Sequence, residues 1–471
     1  MTHPVKARFC PSPTGLVHMG NIRTALFNAL FVKGHHGIFL LRIEDTDKER
    51  SKAEYTTYLQ EDLNWLGLEW NEGPGVGGKN GPYQQSERQA IYDKYYQELE
   101  SQGLAYPCFC REEQLTLIRK IQRSQGKPPR YPGTCRHLTK EQVETKFREG
   151  EKAALRFKVD DETVVTFTDL VKGKQTFYGH DIGDFIIRRT DGTPPFMFCN
   201  AIDDATMGVT HVLRGEDHLT NTPRQIMMLE ALHLPVPHYA HISLIIGGDG
   251  APLSKRTGSR SVQELRAEGF HPIAIDNYLA RLGHHYEEET KLMSLDELAA
   301  TFKIESLGSA PARFDESQLL HWQKVAVLSL SHEAFWKWIS DACQEVVPND
   351  QRGLFIEIVQ SNVMFPTDAK HWAKIFFNGE LKFSGTQLTI LQTAGKRFFE
   401  TAISAVNHYG VDTKAITQEI KEKYNVKGPQ LFMPLRIAIT GEQHGPELAQ
   451  IFTVLGAEKL KQRFQQVLAL I

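Results

Sequence analysis

The stretch CPSPTGLVHMGN, Cys10–Asn21, joins a short strand-like run to an amphipathic segment. The run before it, Val5–Cys10, alternates in character as a strand does. The segment after it has apolar residues at positions 22, 25, 26, 29 and 30, the spacing of one helix face. Strand-to-helix connections are where α/β proteins bind ligands, because helix N-terminal amides point into the crevice above the sheet. The stretch therefore predicts an α/β fold with a ligand site at this connection.

The composition bounds the class of protein. A chain of 471 residues with 41% hydrophobic content is long enough for about three domains. No run approaches the roughly 18 apolar residues of a membrane span, and the first residues contain no signal-like apolar core. We therefore expect a cytoplasmic protein without a membrane segment. Six cysteines do not indicate a disulfide scaffold, and a net charge of −3 means that local patches must meet any polyanion.

Changes in sequence texture divide the chain into regions. We predict the first half of a Rossmann-type α/β domain, an inserted module rich in Cys, Pro and basic residues, the second α/β half, and two helical regions. Their boundaries are 1–105, 106–189, 190–260, 261–322 and 323–471, with a further boundary near Phe383–Gln387. Within the insert, the segment Arg111–His137 carries a net charge of +5.

The residues His18, Gly20 and Asn21 suit a phosphate site at the start of the first helix. An imidazole there can bond phosphate oxygens, Gly20 lets a flat ring approach the backbone, and Asn21 can cap the helix. The alternative is that His18 is an ordinary loop residue and Gly20 an ordinary turn.

The segment LSKRTGS, Leu253–Ser259, combines two cations with flanking glycines. Lys255 and Arg256 follow Ser254, and such a loop can close its cations over a triphosphate. A solvated basic loop is the alternative.

Four residues have the chemistry of a structural zinc site. They form two pairs that are separated by a Pro- and Gly-containing loop: Cys108, Cys110, Cys135 and His137. Three thiols and one imidazole fill all four positions around zinc, so such an ion would hold the loop and do no chemistry. Unconnected free thiols are the alternative.

Charged residues stand at the ends of the predicted strands: Arg8, Glu44, Arg214, Glu216 and Asp217. If these strands are parallel neighbours, the side chains converge above one crevice. Two arginines and a carboxylate suit a zwitterion that carries an extra carboxylate. Ordinary surface ion pairs are the alternative for each residue taken singly.

Taken together, these phrases resemble the class I aminoacyl-tRNA synthetases, and more narrowly the bacterial-type glutamyl-tRNA synthetases. The phrases are PSPTGLVHMG, RIEDTD, RGEDH and LSKR, supported by NTPRQ, MPLRIAITG and the Cys/His set. His18–Asn21 matches the HIGH motif, with Asn21 in place of the last histidine. Pro252–Arg256 matches the KMSKS motif, with Pro252 in place of the first lysine. The resemblance covers nearly the whole chain.

The resemblance also implies roles, position by position. The glutamate-binding residues would be Arg8, Ser12, Glu44, Phe196, Asn200 and Arg214. The ATP-binding residues would be His18, Gly20, Asp217, Ser254, Lys255 and Arg256, of which His18 and Lys255 would be catalytic. Phe196 departs from the tyrosine that is common in the family, so a hydroxyl contact to glutamate is lost.

The activity that the resemblance implies is the ligation of glutamate to tRNA(Glu) in two steps. ATP with Mg²⁺ would activate glutamate as the adenylate, in a tRNA-dependent reaction, and the terminal ribose of tRNA would then accept it. The insert would bind the acceptor stem and one structural zinc ion, and the C-terminal helices would bind the anticodon. We expect a monomer.

Other functions stay open at this point. A glutaminyl-tRNA synthetase shares the fold, a tRNA-modifying paralogue lacks the C-terminal helices, and a small-substrate nucleotidylyltransferase needs only the α/β part. A non-discriminating enzyme would also charge tRNA(Gln), and a non-catalytic RNA-binding protein would have no activity at all. The sequence does not decide between one tRNA and two, because anticodon contacts cannot be placed on its helices.

Overall fold

The computed structural model describes residues 4–47, 49–126, 128–253, 259–379 and 381–471. These residues fall into two compact units, one formed by 1–267 with 272–319 and the other by 268–271 with 320–471. The strands are β1 Lys6–Phe9, β2 Ile38–Leu41, β3 Ala105–Cys108, β4 Ala154–Phe157, β5 Val164–Asp169, β6 Gly173–Tyr178, β7 Phe185–Arg188, β8 His211–Gly215, β9 His238–Ile242, β10 Ile245–Ile246 and β11 Ala312–Arg313.

The helices take up most of the remaining chain. They are α1 Met19–Gly34, α2 Ala53–Trp65, α3 Gln89–Ser101, α4 Glu112–Ser124, α5 Lys140–Arg148, α6 Gly179–Ile182, α7 Phe196–Thr206, α8 Thr222–Ala231, α9 Val262–Glu268, α10 Pro272–Arg281, α11 Leu295–Thr301, α12 Glu316–Ser329, α13 His332–Cys343, α14 Arg352–Val359, α15 Pro366–Phe377, α16 Gly385–Ala394, α17 Lys396–Tyr409, α18 Thr413–Tyr424, α19 Pro429–Thr440 and α20 Leu448–Leu470. In the described part of the chain, no helix has both the length and the apolar character that crossing a membrane requires.

Parallel strands form the centre of the first unit, which confirms the predicted α/β class. β1 pairs with β2 in parallel, and β8 pairs with β9 in the same sense. Hydrogen bonds between Lys6 and Thr210 join β1 to the start of β8. The carboxyl ends of β1, β2 and β8 therefore open toward one crevice, the usual ligand position in such sheets.

Helix α1 follows β1 after the Cys10–Asn21 stretch, as predicted. Its apolar face is fully buried at Ile22, Leu26 and Leu30. One expectation at its start was wrong: His18 occupies the N-cap position, and Asn21 lies in the first turn, so Asn21 caps nothing. The amide of Asn28 bonds the Leu213 carbonyl at 3.0 Å and fixes the helix against β8.

The insert has its own β-structure. β4 pairs in antiparallel fashion with both β3 and β7, while β5 and β6 form a hairpin. Residues 154–171 alternate in the way typical of strands, and this segment contains β4 and β5. The end of β5 is attached to β9, because the Leu170 amide donates to the Tyr239 carbonyl at 2.8 Å.

The second unit is helical, as the sequence predicts for its C-terminal part. Its core includes Phe335, Phe376 and Phe464, all fully buried. Core residues before and after Phe383–Gln387, such as Phe376 and Leu391, belong to one cluster. The region limits proposed from the sequence stay predictions.

Candidate active site and thiol cluster

A cavity of about 520 Å³ opens at the carboxyl ends of β1 and β8 and at the N-terminus of α1. Its walls bring together most of the predicted substrate residues. The lining includes Arg8, His18, Gly20, Phe196, Asn200, Arg214, Asp217, Pro252 and Leu253. Ser12 and Glu44 are not on this wall. Ser12 is exposed beside it, and Glu44 is buried behind Asn200.

Arg8 is held by a buried carboxylate that the sequence analysis did not single out. Its Nε and Nη2 atoms donate to the two oxygens of Asp204 at 3.0 and 3.1 Å. Arg42 donates to the same carboxylate from Nη1 at 2.7 Å. Burial raises the pKa of Asp204, but the two guanidinium groups lower it by more. The net effect is a lowered pKa, so this carboxylate is ionised. Most of the donor capacity of Arg8 is therefore committed to the protein.

A second line of contacts joins Glu44 to the cavity wall. Glu44 accepts from Arg42 Nη2 at 3.0 Å and from the Asn200 amide at 2.7 Å. Burial raises the pKa of the Glu44 carboxyl, although Arg42 and Asn200 oppose the shift. The donated bond fixes the Asn200 amide so that its oxygen faces Arg214 at 3.5 Å and Gln225 at 3.1 Å.

Arg214 is the second guanidinium of the cavity, and its hydrogen-bond partners are uncharged groups. Its donors meet His241 Nε2 at 3.2 Å, Thr222 Oγ1 at 2.8 Å and Gln225 Oε1 at 2.7 Å. Among the described residues, no carboxylate lies within ion-pair distance of it, although it is only 5% exposed. Burial accordingly lowers the pKa of Arg214. A buried cation of this kind is suited to an anionic ligand.

The start of α1 provides the phosphate-type features. A Cβ placed on Gly20 would meet no atom within 4 Å, so the space above this backbone is open to a ligand. The His18 Nδ1 atom is buried and has no hydrogen-bond partner among the described atoms. His18 also forms an antiparallel bridge with Ser261, which ties the start of α1 to the chain that follows the LSKR segment.

Asp217 and Phe196 also line the cavity, Asp217 after β8 and Phe196 at the start of α7. The Phe196 ring packs against His218 with centroids 4.9 Å apart. Asp217 is more than half exposed, and its Oδ1 atom would be 2.4 Å from a Cβ placed on Gly215. A side chain at 215 would therefore move the Asp217 carboxylate from its present position at the end of β8.

The predicted cation loop is described only at its edges. Pro252 forms an antiparallel bridge with Ile246, and the Leu253 amide donates to the Ile245 carbonyl at 2.9 Å. The predicted residues Ser254, Lys255 and Arg256 lie outside the described residues. Their roles stay predictions.

Three of the four predicted zinc ligands meet in the insert. The Sγ atoms of Cys108, Cys110 and Cys135 lie within 4.8 Å of one another. His137, predicted as the fourth ligand, does not join this group, and its side chain is exposed. The strand β3 ends at Cys108, so the next turn carries Cys110 toward Cys135, whereas the residue two positions past Cys135 points outward.

Tyr131 lies beside the thiol cluster, where the sequence analysis placed His137. Its hydroxyl oxygen is 3.5 Å from the Sγ atoms of both Cys108 and Cys110, and it accepts the Cys135 amide at 2.8 Å. The Arg156 guanidinium lies 3.7 Å from the centre of its ring. Burial raises the pKa of the Cys108 thiol, but the hydrogen bond to Tyr131 and the charge of Arg156 outweigh burial, and the net effect is a lowered pKa. The three converging thiols are part of a donor set that fits zinc, which takes Cys sulfur as a ligand.

The sequence analysis missed Asp204, His241 and Tyr131. Asp204 and His241 are interior residues of a helix and a strand, and no local spacing connects them to Arg8 or Arg214. Tyr131 offered only a weak signal, namely that it lies close to Cys135 in sequence, within the same loop.

Comparison with known proteins agrees with this geometry. Residues 4–321 match the family described as tRNA synthetases class I (E and Q), catalytic domain, and residues 323–468 match an anticodon binding domain. The chain is 57% identical to glutamate–tRNA ligase 2 of Coxiella burnetii (strain RSA 493 / Nine Mile phase I) over 98% of this chain and 99% of that one. It is 55% identical to glutamate–tRNA ligase 2 of Nitrosococcus oceani, over 98% of both.

A solved structure shows the same fold. The glutamate tRNA ligase of Elizabethkingia meningosepticum, crystallised in complex with its amino acid, superposes with a TM-score of 0.89 at 28% identity and covers 99% of both chains. These matches confirm the resemblance read from the PSPTGLVHMG, RIEDTD, RGEDH and LSKR phrases. The chain therefore belongs to the class I tRNA synthetases of the glutamate and glutamine type, within the glutamate–tRNA ligases.

Proposed function

We propose that this chain ligates L-glutamate to the 3′ end of tRNA(Glu), with ATP as the energy source. The observation that carries the proposal is Arg214, a buried guanidinium on the cavity wall that has no carboxylate partner among the described residues. A free dicarboxylic amino acid supplies the missing anion. Among the family members, relatives named glutamate–tRNA ligase agree with this substrate.

In the first step, the α-carboxylate of glutamate attacks the α-phosphorus of ATP, and pyrophosphate leaves. Arg214 and the remaining donor of Arg8 hold carboxylate oxygens, while Asn200 and Phe196 complete the wall. Glu44 acts from behind the wall by fixing the Asn200 amide, and Ser12 contributes from the exposed chain next to the cavity-lining Pro11. No side chain forms a covalent bond with the substrate, so orientation and charge supply the rate.

ATP occupies the side of the cavity next to α1. The first amides of α1, exposed at Gly20, and the His18 imidazole face the phosphates, and Asp217 contributes from the same cavity. Ser254, Lys255 and Arg256 contribute hydroxyl and cationic groups to the triphosphate. Mg²⁺ enters as part of the ATP complex and neutralises phosphate charge.

In the second step, a terminal ribose hydroxyl of tRNA attacks the carbonyl carbon of the adenylate, and AMP leaves. The resemblance to the family indicates the 2′-hydroxyl. The basic insert contacts the acceptor stem, since Arg119 and Arg123 are exposed on α4. The helical unit that matches an anticodon binding domain contacts the other end of the tRNA.

The thiol cluster would hold one structural zinc ion. Cys108, Cys110 and Cys135 supply three ligands, and the Tyr131 hydroxyl is the fourth polar atom at the cluster. The ion would tie β3 to the loop at Cys135 and thereby shape the tRNA-binding face of the insert. Because protein atoms surround the position, it offers no site for a reacting water.

The experiment is aminoacylation with radiolabelled glutamate, with purified tRNA(Glu) and tRNA(Gln) in separate reactions, and with labelled glutamine as the control amino acid. We expect glutamate to be joined to tRNA(Glu) and glutamine to neither tRNA. Pyrophosphate exchange in the presence and absence of tRNA measures the first step alone. Lack of both activities in folded protein would refute the proposal and leave a tRNA-binding protein without catalysis.

A further inference from the structure

Arg214 owes its orientation to a buried histidine that the reaction itself does not use. His241 is fully buried on β9, and its Nε2 atom is 3.2 Å from Arg214 Nε and 3.1 Å from Thr222 Oγ1. On the other side of the ring, Nδ1 is 2.6 Å from the Asp169 carboxylate. Asp169 is the last residue of β5, so it belongs to the inserted hairpin and not to the α/β core.

The hydrogen bonds fix the protonation state of this histidine. Asp169 accepts the backbone amides of Val171, Lys172 and His241 in addition to Nδ1, which a carboxylate does and a carboxylic acid does poorly. The carboxylate can only accept, so His241 Nδ1 must donate. Arg214 Nε can only donate, so His241 Nε2 must accept. The ring is therefore neutral and present as the Nδ1–H tautomer.

The titratable groups around the ring agree with a neutral state. Burial lowers the pKa of His241, and the neighbouring Arg214 lowers it further against the opposing effect of Asp169. Tyr239, next to it on β9, stacks at a centroid distance of 6.2 Å and also lies under the Arg214 guanidinium. A protonated ring would place a second N–H donor against Arg214 Nε and lose that bond.

We propose that Asp169 and His241 are positioning residues for substrate binding, and that they set the angle at which Arg214 meets the glutamate carboxylate. Asp169 selects the tautomer, His241 accepts from Arg214 Nε, and Thr222 and Gln225 hold Nη2. Arg214 Nη1 is then the nitrogen that remains available to the cavity, because its described partner, Asn200 Oδ1, lies at the long distance of 3.5 Å. This inference rests on the proposed function. It makes the contact between the inserted hairpin and β9 a part of the amino acid site.

The first test is Asp169→Asn in the full chain, assayed by aminoacylation of tRNA(Glu). An asparagine amide facing Nδ1 favours the opposite tautomer, which turns an Nε2–H toward Arg214 Nε. We expect the KM for glutamate to rise by about 10- to 100-fold, the range for one lost charged hydrogen bond, with the KM for ATP unchanged. The matched control is Asp184→Asn, a buried carboxylate of the same insert that bonds Arg136, Tyr106 and the Val159 amide.

The second test separates hydrogen bonding from packing at position 241. His241→Gln is close to histidine in size and can place an oxygen where Nε2 accepts, whereas His241→Leu fills the space without an acceptor. We expect His241→Gln to keep a KM for glutamate much nearer the wild-type value than His241→Leu does, at similar thermal midpoints. Equal KM values for the two variants, or an Asp169→Asn enzyme with wild-type KM for glutamate, would overturn the inference. Lack of activity in the wild-type chain would instead refute the proposed function.

Discussion

Replacing Arg214 and Arg8 by methionine, one at a time, should separate substrate binding from stability. Arg214 has no described carboxylate partner, so its buried charge serves the ligand more than the fold. Arg214→Met should lower kcat/KM for glutamate by about 150-fold, which corresponds to about 3 kcal/mol for a buried charge pair that is no longer made. The cost to the free energy of unfolding should stay within about 1 kcal/mol, because the lost hydrogen bonds are offset by the removal of a desolvated charge.

Arg8→Met should behave differently, because it leaves the buried Asp204 with Arg42 as its cation partner. Breaking one side of such a cluster costs about 3 kcal/mol, which for a unit of this size lowers the thermal midpoint by about 5 °C. The assays are thermal unfolding and steady-state aminoacylation with varied glutamate, with the KM for ATP as the internal control. Equal loss of stability in the two variants, or unchanged kcat/KM in Arg214→Met, would refute this division of roles.

Further predictions concern the cation loop, the metal and pH. Lys255→Ala should slow pyrophosphate exchange by about 10²–10³ while ATP binding, measured by equilibrium dialysis, changes little; an unchanged rate would remove Lys255 from the reaction. Metal-replete protein should contain close to one zinc ion per chain by elemental analysis. Cys135→Ser should lower that zinc content and weaken tRNA binding. Full aminoacylation of tRNA by zinc-free protein would contradict the assignment. Burial lowers the pKa of His284 to about 4. Between this pH and about 6.5, the unfolded chain therefore binds a proton at His284 that the folded chain does not bind. The free energy of unfolding should fall as the pH drops through this range, by at most about 1.4 kcal/mol per pH unit. His284→Phe should flatten this part of the wild-type stability profile, measured by urea unfolding, and an unchanged slope would show that other groups cause it.

Local patterns in the sequence predicted the elements of the fold well. The apolar residues at helical spacing after Asn21 correspond to α1, and the mostly apolar residues 38–43, a pattern typical of a buried strand, contain β2. The convergence of Arg8 and Arg214 was also predictable, since parallel strands end at one edge.

The contacts that set charge at the site could not be predicted in this way. Asp204 meets Arg8 across 196 positions of sequence, and Asp169 meets His241 across 72, so neither pair leaves a local signal. The same reason explains His137: a two-residue spacing after Cys135 suggests a ligand, but the direction of the side chain depends on a turn that one sequence does not specify. Tyr131 takes the position because the loop folds back between the cysteines.

The long separation within the Arg8–Asp204–Arg42 cluster has a consequence for synthesis of the chain on the ribosome. At about 5–20 residues per second, Arg8 leaves the peptidyl transferase centre some 10–40 s before Asp204 is made. During that interval the Arg8 guanidinium lacks its Asp204 partner, so burying it would leave its charge without that carboxylate, whereas Arg42 already has Glu44 nearby. The insert is contiguous in sequence and closes its own β3–β4–β7 sheet within this time. The Arg8 wall of the active site can therefore form only after Asp204 is made, and a ribosome pause before residue 204 would prolong the time for which Arg8 lacks this carboxylate.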